Sequence, residues 1–296
     1  MTSAPLSAAP SAPLSDPLAT PLPAPVRTLT VGEAEITAYR SAARRGLAAA
    51  PPGQASPVHA FVLAHTVAEQ TVTALTRGEA GPVPVVHLGQ DIRTLRPVRP
   101  GEQITVRLDV LGVRREPRGA RVALRSRLFG QDGPEPFAEL LTSALLVGAT
   151  APEPFGDITG AAGAPTPLGA GEPQTATHEL SADWIRAYAT ASGDLNPIHL
   201  DAAAAREGGF ETVIAHGMSV VALAVEEAVD RFAGGDPARV RGLGCRFSAP
   251  VAPGVPLDIV LQPDARAHVV RFTCKTPAGT AAKGGWIEFA EEGPDA

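Results

Sequence analysis

Asp194, Asn196 and His199 place an acid, a carboxamide and an imidazole within six positions, in the stretch Gly193-Asp194-Leu195-Asn196-Pro197-Ile198-His199-Leu200-Asp201. Gly193 and Pro197 keep this stretch from being regular helix or strand. Such a segment can aim an acid and a base at one small volume, the arrangement that general acid–base catalysis requires. His216 follows His199 by seventeen residues, in Ala215-His216-Gly217-Met218, and opens an apolar helical run. The first N–H groups of a helix have no partner within it, so they are available to hold a developing oxyanion. Taken singly these residues are ordinary: Asn-Pro is a common turn, Asp and Asn cap helices, and a lone histidine is often just solvated. The ordered set, at this distance before a His-Gly helix start, is what points to a site.

Two kinds of element must position that set. Apolar helices are predicted over 57–77 and 216–232, and 218–225 is apolar nearly all round, so the second helix should be enclosed. After each helix come alternating strands. Ile104, Val106, Leu108 and Val110 interleave with Thr105, Arg107 and Asp109. Val122, Leu124 and Leu128 interleave with Arg121, Arg125 and Arg127, and Val270, Phe272 and Cys274 with Arg271, Thr273 and Lys275. Period two with charge on one face means half-buried antiparallel strands.

The chain also repeats itself. His87-Leu88-Gly89-Gln90-Asp91-Ile92 parallels Gly242-Leu243-Gly244-Cys245-Arg246-Phe247 at an offset of 155. Arg96-Pro97-Val98-Arg99-Pro100-Gly101 parallels Ala249-Pro250-Val251-Ala252-Pro253-Gly254 at an offset of 153, which implies two related domains and a small indel. The resulting division is a Pro/Ala-rich disordered tail over 1–25, a first repeat over 26–148, a Gly/Pro/Ala-rich linker over 149–174, and a second repeat over 175–296.

Tyr188-Ala189-Thr190-Ala191-Ser192-Gly193-Asp194-Leu195-Asn196-Pro197-Ile198-His199, followed by Ala215-His216-Gly217-Met218, resembles the hydratase-2 motif of MaoC-like dehydratases. The resemblance is strongest over 180–235, and the first half is similar to the degenerate first repeat of two-repeat members. It implies an α+β double hot-dog fold, each repeat a long helix wrapped by a curved antiparallel sheet. It also implies reversible hydration of trans-2-enoyl thioesters to (R)-3-hydroxyacyl thioesters. By the same resemblance Asp194 and His199 share one water as general base and acid, Asn196 orients His199 or the water, and the N–H of Gly217 holds the enolate oxygen. Ser192, Gly193, His216 and Ser219 are substrate-side candidates.

Each of these has a plainer alternative. Ser192 either bonds within the loop or is simply small, His216 positions the helix start, and Ser219 either faces substrate or bonds the backbone. Asp201 reads as the cap of a helical turn over 202–206. Val58-His59-Ala60 aligns with Ala215-His216-Gly217, but the preceding 48–54 holds neither acid nor imidazole. One active site per chain follows, with His59 structural and the first repeat supplying scaffold and part of an acyl tunnel.

Two other functions compete. A hot-dog thioesterase resembles its relatives in carrying an acid within the central helix, whereas Glu226 and Glu227 lie more than two turns past Gly217. A non-catalytic acyl-thioester-binding or partner subunit is the other, opposed by the intact Asp194 and His199. No cofactor or metal is expected, the acyl group arriving as a thioester on CoA or acyl carrier protein. Cys245 and Cys274 lack CxxC spacing and read as buried free thiols. A net charge of −6 leaves no basic footprint for nucleic acid. The tail lacks a secretory pattern, and no apolar run reaches the ~18–20 residues that span a bilayer. A cytoplasmic protein is expected, either a monomer built as a pseudo-dimer or a homodimer.

Overall fold

The computed structural model describes residues 25–158 and 163–291. The expected disordered tail lies outside the described residues but for Pro25, as does 159–162 within the expected linker. The first half runs β1 (Val26–Thr30), α1 (Glu33–Ala43), α2 (His59–Leu75), β2 (Val85–Thr94), β3 (Gln103–Glu116), β4 (Gly119–Phe129) and β5 (Ala138–Val147). A two-residue strand, β6 (Phe155–Gly156), pairs with β3 inside the stretch whose composition reads as linker. The second half runs β7 (Gln174–Glu179), α3 (Ala182–Ser192), α4 (Ala202–Glu207), α5 (Gly217–Phe232), β8 (Val240–Phe247), β9 (Pro256–Pro263), β10 (Val269–Thr276) and β11 (Gly279–Phe289).

One antiparallel sheet joins the halves, in the order β1-β3-β4-β5-β2-β8-β11-β10-β9-β7. Read inward from either end, the order is the same, so the halves are related by a pseudo-twofold at the β2–β8 junction. The register there is Gly89↔Arg246, Gln90↔Cys245 and Asp91↔Gly244. The repeated sextet of the sequence is thus the seam between the repeats.

The strands form because alternate side chains have a core to enter. Ile104, Val106 and Leu108 of β3 are buried, as are Leu257, Ile259 and Leu261 of β9. Truncating any of the isoleucines or leucines among these to alanine would cost about 2–5 kcal/mol. Helix α2 packs on β3, β4 and β5, and α5 on β8, β10 and β11, which is the double hot-dog arrangement. Helix α5 also meets α1, so every residue from 218 to 229 is buried. That double cover explains why its sequence is apolar nearly all round. Cys245 and Cys274 are free and buried in β8 and β10. No helix among the described residues is long and apolar enough to cross a membrane.

Candidate active site

Helix α3 ends at Gly193, whose φ of 72° lies in the left-handed region that glycine enters without a Cβ penalty. This turn starts the loop that carries the acid. Ser192 Oγ accepts from the Asp194 N–H at 3.2 Å, and Asp194 Oδ1 accepts from the Asn196 N–H at 3.2 Å. Asn196 Oδ1 then accepts from the Ile198 N–H at 3.4 Å and caps a 3-10 turn, Pro197–His199. Asn196 thus caps the turn that carries His199. Asp201 caps α4, accepting from the N–H groups of Ala203 at 2.7 Å and Ala204 at 2.8 Å, and stays outside the acid–base pair.

The tautomers follow from the partners. His199 Nδ1 lies 2.8 Å from the Ile214 carbonyl, which can only accept, so Nδ1 carries the proton and Nε2 of the neutral ring is left basic. His216 Nε2 likewise donates to the Asp194 carbonyl at 3.0 Å, tying the acid's loop to the start of α5. The His199 and His216 rings overlap with centroids 3.7 Å apart and planes 31° from parallel. One ligand-type atom from each of Asp194, His199 and His216 lies within 4.8 Å of the others. Two acceptors bridged by one water stand about 4.5 Å apart, so the carboxylate and the imidazole fit a shared water.

The local field sets the charges. Burial opposes ionisation of Asp194, but the imidazoles of His65, His216 and His199 and the Asn196 N–H outweigh it, holding the carboxyl below its ordinary value. Burial lowers His199 below the usual imidazole range, and burial with the neighbouring His199 lowers His216 to about 4. At neutral pH the site therefore pairs a carboxylate with a neutral imidazole.

At the start of α5 the Gly217 N–H has no hydrogen-bond partner among the described residues. The space where a Gly217 Cβ would stand is closed by Phe247, whose ring would be 2.8 Å away. Close packing on β8 thus requires glycine here in any case. Ser219 is fully buried and its hydroxyl donates to the His216 carbonyl at 2.7 Å, the backbone alternative of its two readings.

The first repeat contributes more than the sequence suggests. His65, on α2, brings Nε2 to 3.8 Å from Asp194 Oδ1 and 3.5 Å from Glu69 Oε1. Phe61 stacks between His65 and His87, and His87 meets Phe247 at 4.8 Å, so an aromatic row runs from α2 to the start of α5. His65 escaped sequence reasoning because it sits in an apolar helical run whose acid partner lies in the other repeat.

The pseudo-equivalent place, where the end of α1 meets α5, holds a different chemistry. Glu226 accepts from Arg40 and Arg44, and Arg44 also grips Asp230. The second place that symmetry would provide is filled by a buried ion network. Glu227 is held by His178 at 2.7 Å and by Arg231 at 2.9 Å. Neither acid of the central helix is free for hydrolytic work. His59 is fully buried with neither ring nitrogen hydrogen-bonded, though Nε2 lies 3.9 Å from Glu35 Oε1; the ring packs edge-on to Tyr39 at 5.1 Å and is lowered by burial to about 4.

Residues 166–276 match the family model for the MaoC like domain. A probable enoyl-CoA hydratase 2 from Dictyostelium discoideum is 36% identical over 78 residues, 26% of each chain. The match thus spans about a quarter of that relative's length. A longer alignment, 77% of each chain, joins the protein to 3-hydroxyacyl-thioester dehydratase X of Mycobacterium tuberculosis at 29% identity. Among solved structures, a MaoC-like dehydratase from Phytophthora capsici superposes with a TM-score of 0.73 at 21% identity, over 92% of this chain and 97% of that one.

Proposed function

We propose, from the MaoC-like domain in its second half, that the chain hydrates trans-2-enoyl thioesters reversibly to (R)-3-hydroxyacyl thioesters, with one active site per chain. The observation that carries this reading is that a carboxylate oxygen of Asp194 and a ring nitrogen of a neutral His199 lie within 4.8 Å of each other, close enough to share one water. A hydration needs water to surrender a proton as its oxygen attacks C3, and C2 needs a proton afterwards. The shared water donates one hydrogen bond to Asp194 and one to His199. As the C3–O bond forms, the proton passes to this pair and then to C2 on the same face, so one water supplies both hydroxyl and hydrogen. Acid–base help of this kind is worth roughly 10²–10⁴ in rate.

Negative charge gathers on the thioester oxygen as the enolate forms. The Gly217 N–H, at the positive end of α5, is the donor suited to it, and such a donor is worth about 3–4 kcal/mol in the transition state. The carrier is CoA or an acyl carrier protein, and the chemistry needs no further cofactor. Loss of enoyl absorbance across a chain-length series of trans-2-enoyl-CoA substrates, with chiral analysis of the product, tests the proposal. An (R)-3-hydroxyacyl product supports it. Thioester hydrolysis, or saturable binding without turnover, overturns it.

A further inference from the structure

We propose that His65, carried on α2 of the first repeat, is a positioning residue for this hydration, an imidazole held between Glu69 and Asp194 that favours Asp194 as the ionised partner of His199. The inference rests on the function proposed above and gives the first repeat a part in the chemistry. Its basis is a geometry that crosses the repeats: an α2 side chain reaches the acid that the second repeat's loop presents. His65 Nε2 is buried, has no hydrogen-bond partner, and points between two carboxylates at 3.5 and 3.8 Å. An orphaned buried donor is costly, whereas a cation facing two carboxylates is compensated.

The surrounding groups divide the charges clearly. Facing His65 are Glu69 from its own helix, Asp194 from the loop after α3, His87 from β2, and His199 and His216 behind the acid. Burial opposes a charge on His65, but Glu69 and Asp194 outweigh it and hold the ring above its ordinary value. His87 is lowered to about 4, mainly by burial, and His199 and His216 are lowered as well. Of the imidazoles around Asp194, His65 is the one held above its ordinary value. The stack of Phe61 on His65 and His87 orients the ring. The sequence contains a further sign of this role in hindsight, since Glu69 follows His65 at the i,i+4 spacing that brings side chains together on a helix.

Removing a positive charge beside Asp194 and His199 makes both easier to protonate, so the acid limb of the rate profile must move upward. The test is kcat and KM for trans-2-enoyl-CoA hydration between pH 5 and 9, for the wild-type chain, His65→Gln and Glu69→Gln. His65→Gln should shift the acid limb up by about one pH unit, a roughly tenfold loss of kcat on that limb, with KM changed less than about twofold. Glu69→Gln, at an exposed position, should shift it the same way by less, because it weakens the charge on His65. It also reads the same limb should His65→Gln fail to fold. An inactive wild-type chain would overturn the proposed function and this inference together. An active wild type, with the limb unmoved in folded His65→Gln or in Glu69→Gln, would overturn the inference alone.

Discussion

Asp91 and Arg246 occupy matching places in the two repeats and pair with each other, Arg246 Nη1 donating to Asp91 Oδ2 at 3.2 Å across the β2–β8 junction. In a symmetric pair of identical chains, residues at a twofold face their own copies, as Tyr39 and Tyr188 still do through their hydroxyls at 3.0 Å. Fusing the repeats frees the copies to differ, and here they have become an acid and a base. Asp91 is buried and Arg246 half exposed, so the pair is partly screened. Asp91→Arg should destabilise the protein by about 1–3 kcal/mol by setting two guanidinium groups at the seam. The exchange Asp91→Arg with Arg246→Asp should recover most of that loss in denaturant melts. A double variant no more stable than the single would show that the charges are not complementary.

Gly217 has two reasons to be glycine, and they separate experimentally. A Cβ there meets the Phe247 ring at 2.8 Å, so Gly217→Ala should cost about 1–3 kcal/mol through overpacking. Adding Phe247→Leu should relieve the crowding and restore much of the melting temperature. Activity per folded molecule then reports on the N–H donor. If the Gly217 N–H holds the enolate oxygen and a Cβ displaces it, kcat/KM stays low in the stabilised double variant; wild-type specific activity would remove Gly217 from the site.

Three buried histidines make stability depend on pH in a definite window. His59, His87 and His216 are each lowered to about 4, with burial the largest cause, against an ordinary value of about 6.5. Between those values the unfolded chain takes up protons that the folded chain refuses, so stability falls as pH drops from about 6.5 to 4, by about 1.4 kcal/mol per pH unit for each such group. His65, raised instead, acts above 6.5 and in the opposite sense. Urea midpoints across pH measure this slope. His59→Leu should reduce it by about one proton while leaving kcat within about twofold, because His59 lies at the dead counterpart of the site. A kcat loss comparable to that of a His199 variant would mean that the first repeat holds a second catalytic centre.

Much of this was legible because local rules and global packing agree. The β2–β8 seam repeats its sequence since both strands need a glycine there: a Cβ on Gly89 would meet the Arg246 side chain at 2.7 Å, and on Gly244 it would meet the Trp286 ring at 2.7 Å. The acid, the imidazole and the glycine turn lie close together in the chain, so their spacing alone shows them. His65 was hidden because its partner is 129 positions away and its own surroundings read as core. The ion network of Arg40, Arg44, Glu226 and Asp230 was hidden for the same reason: complementary charges on α1 and α5 meet only once the repeats are docked. Strand β6 was missed because two residues are too few for a periodic signal.

Asp194→Asn tests the central claim most directly. The substitution keeps the side chain's shape and its acceptor for the Asn196 N–H, while removing the charge that shares the catalytic water. Measured per folded molecule, with the folded fraction from circular dichroism, kcat for trans-2-enoyl-CoA hydration should fall by roughly 10²–10⁴ with the melting temperature little changed. Near-normal turnover in the folded variant would contradict the account.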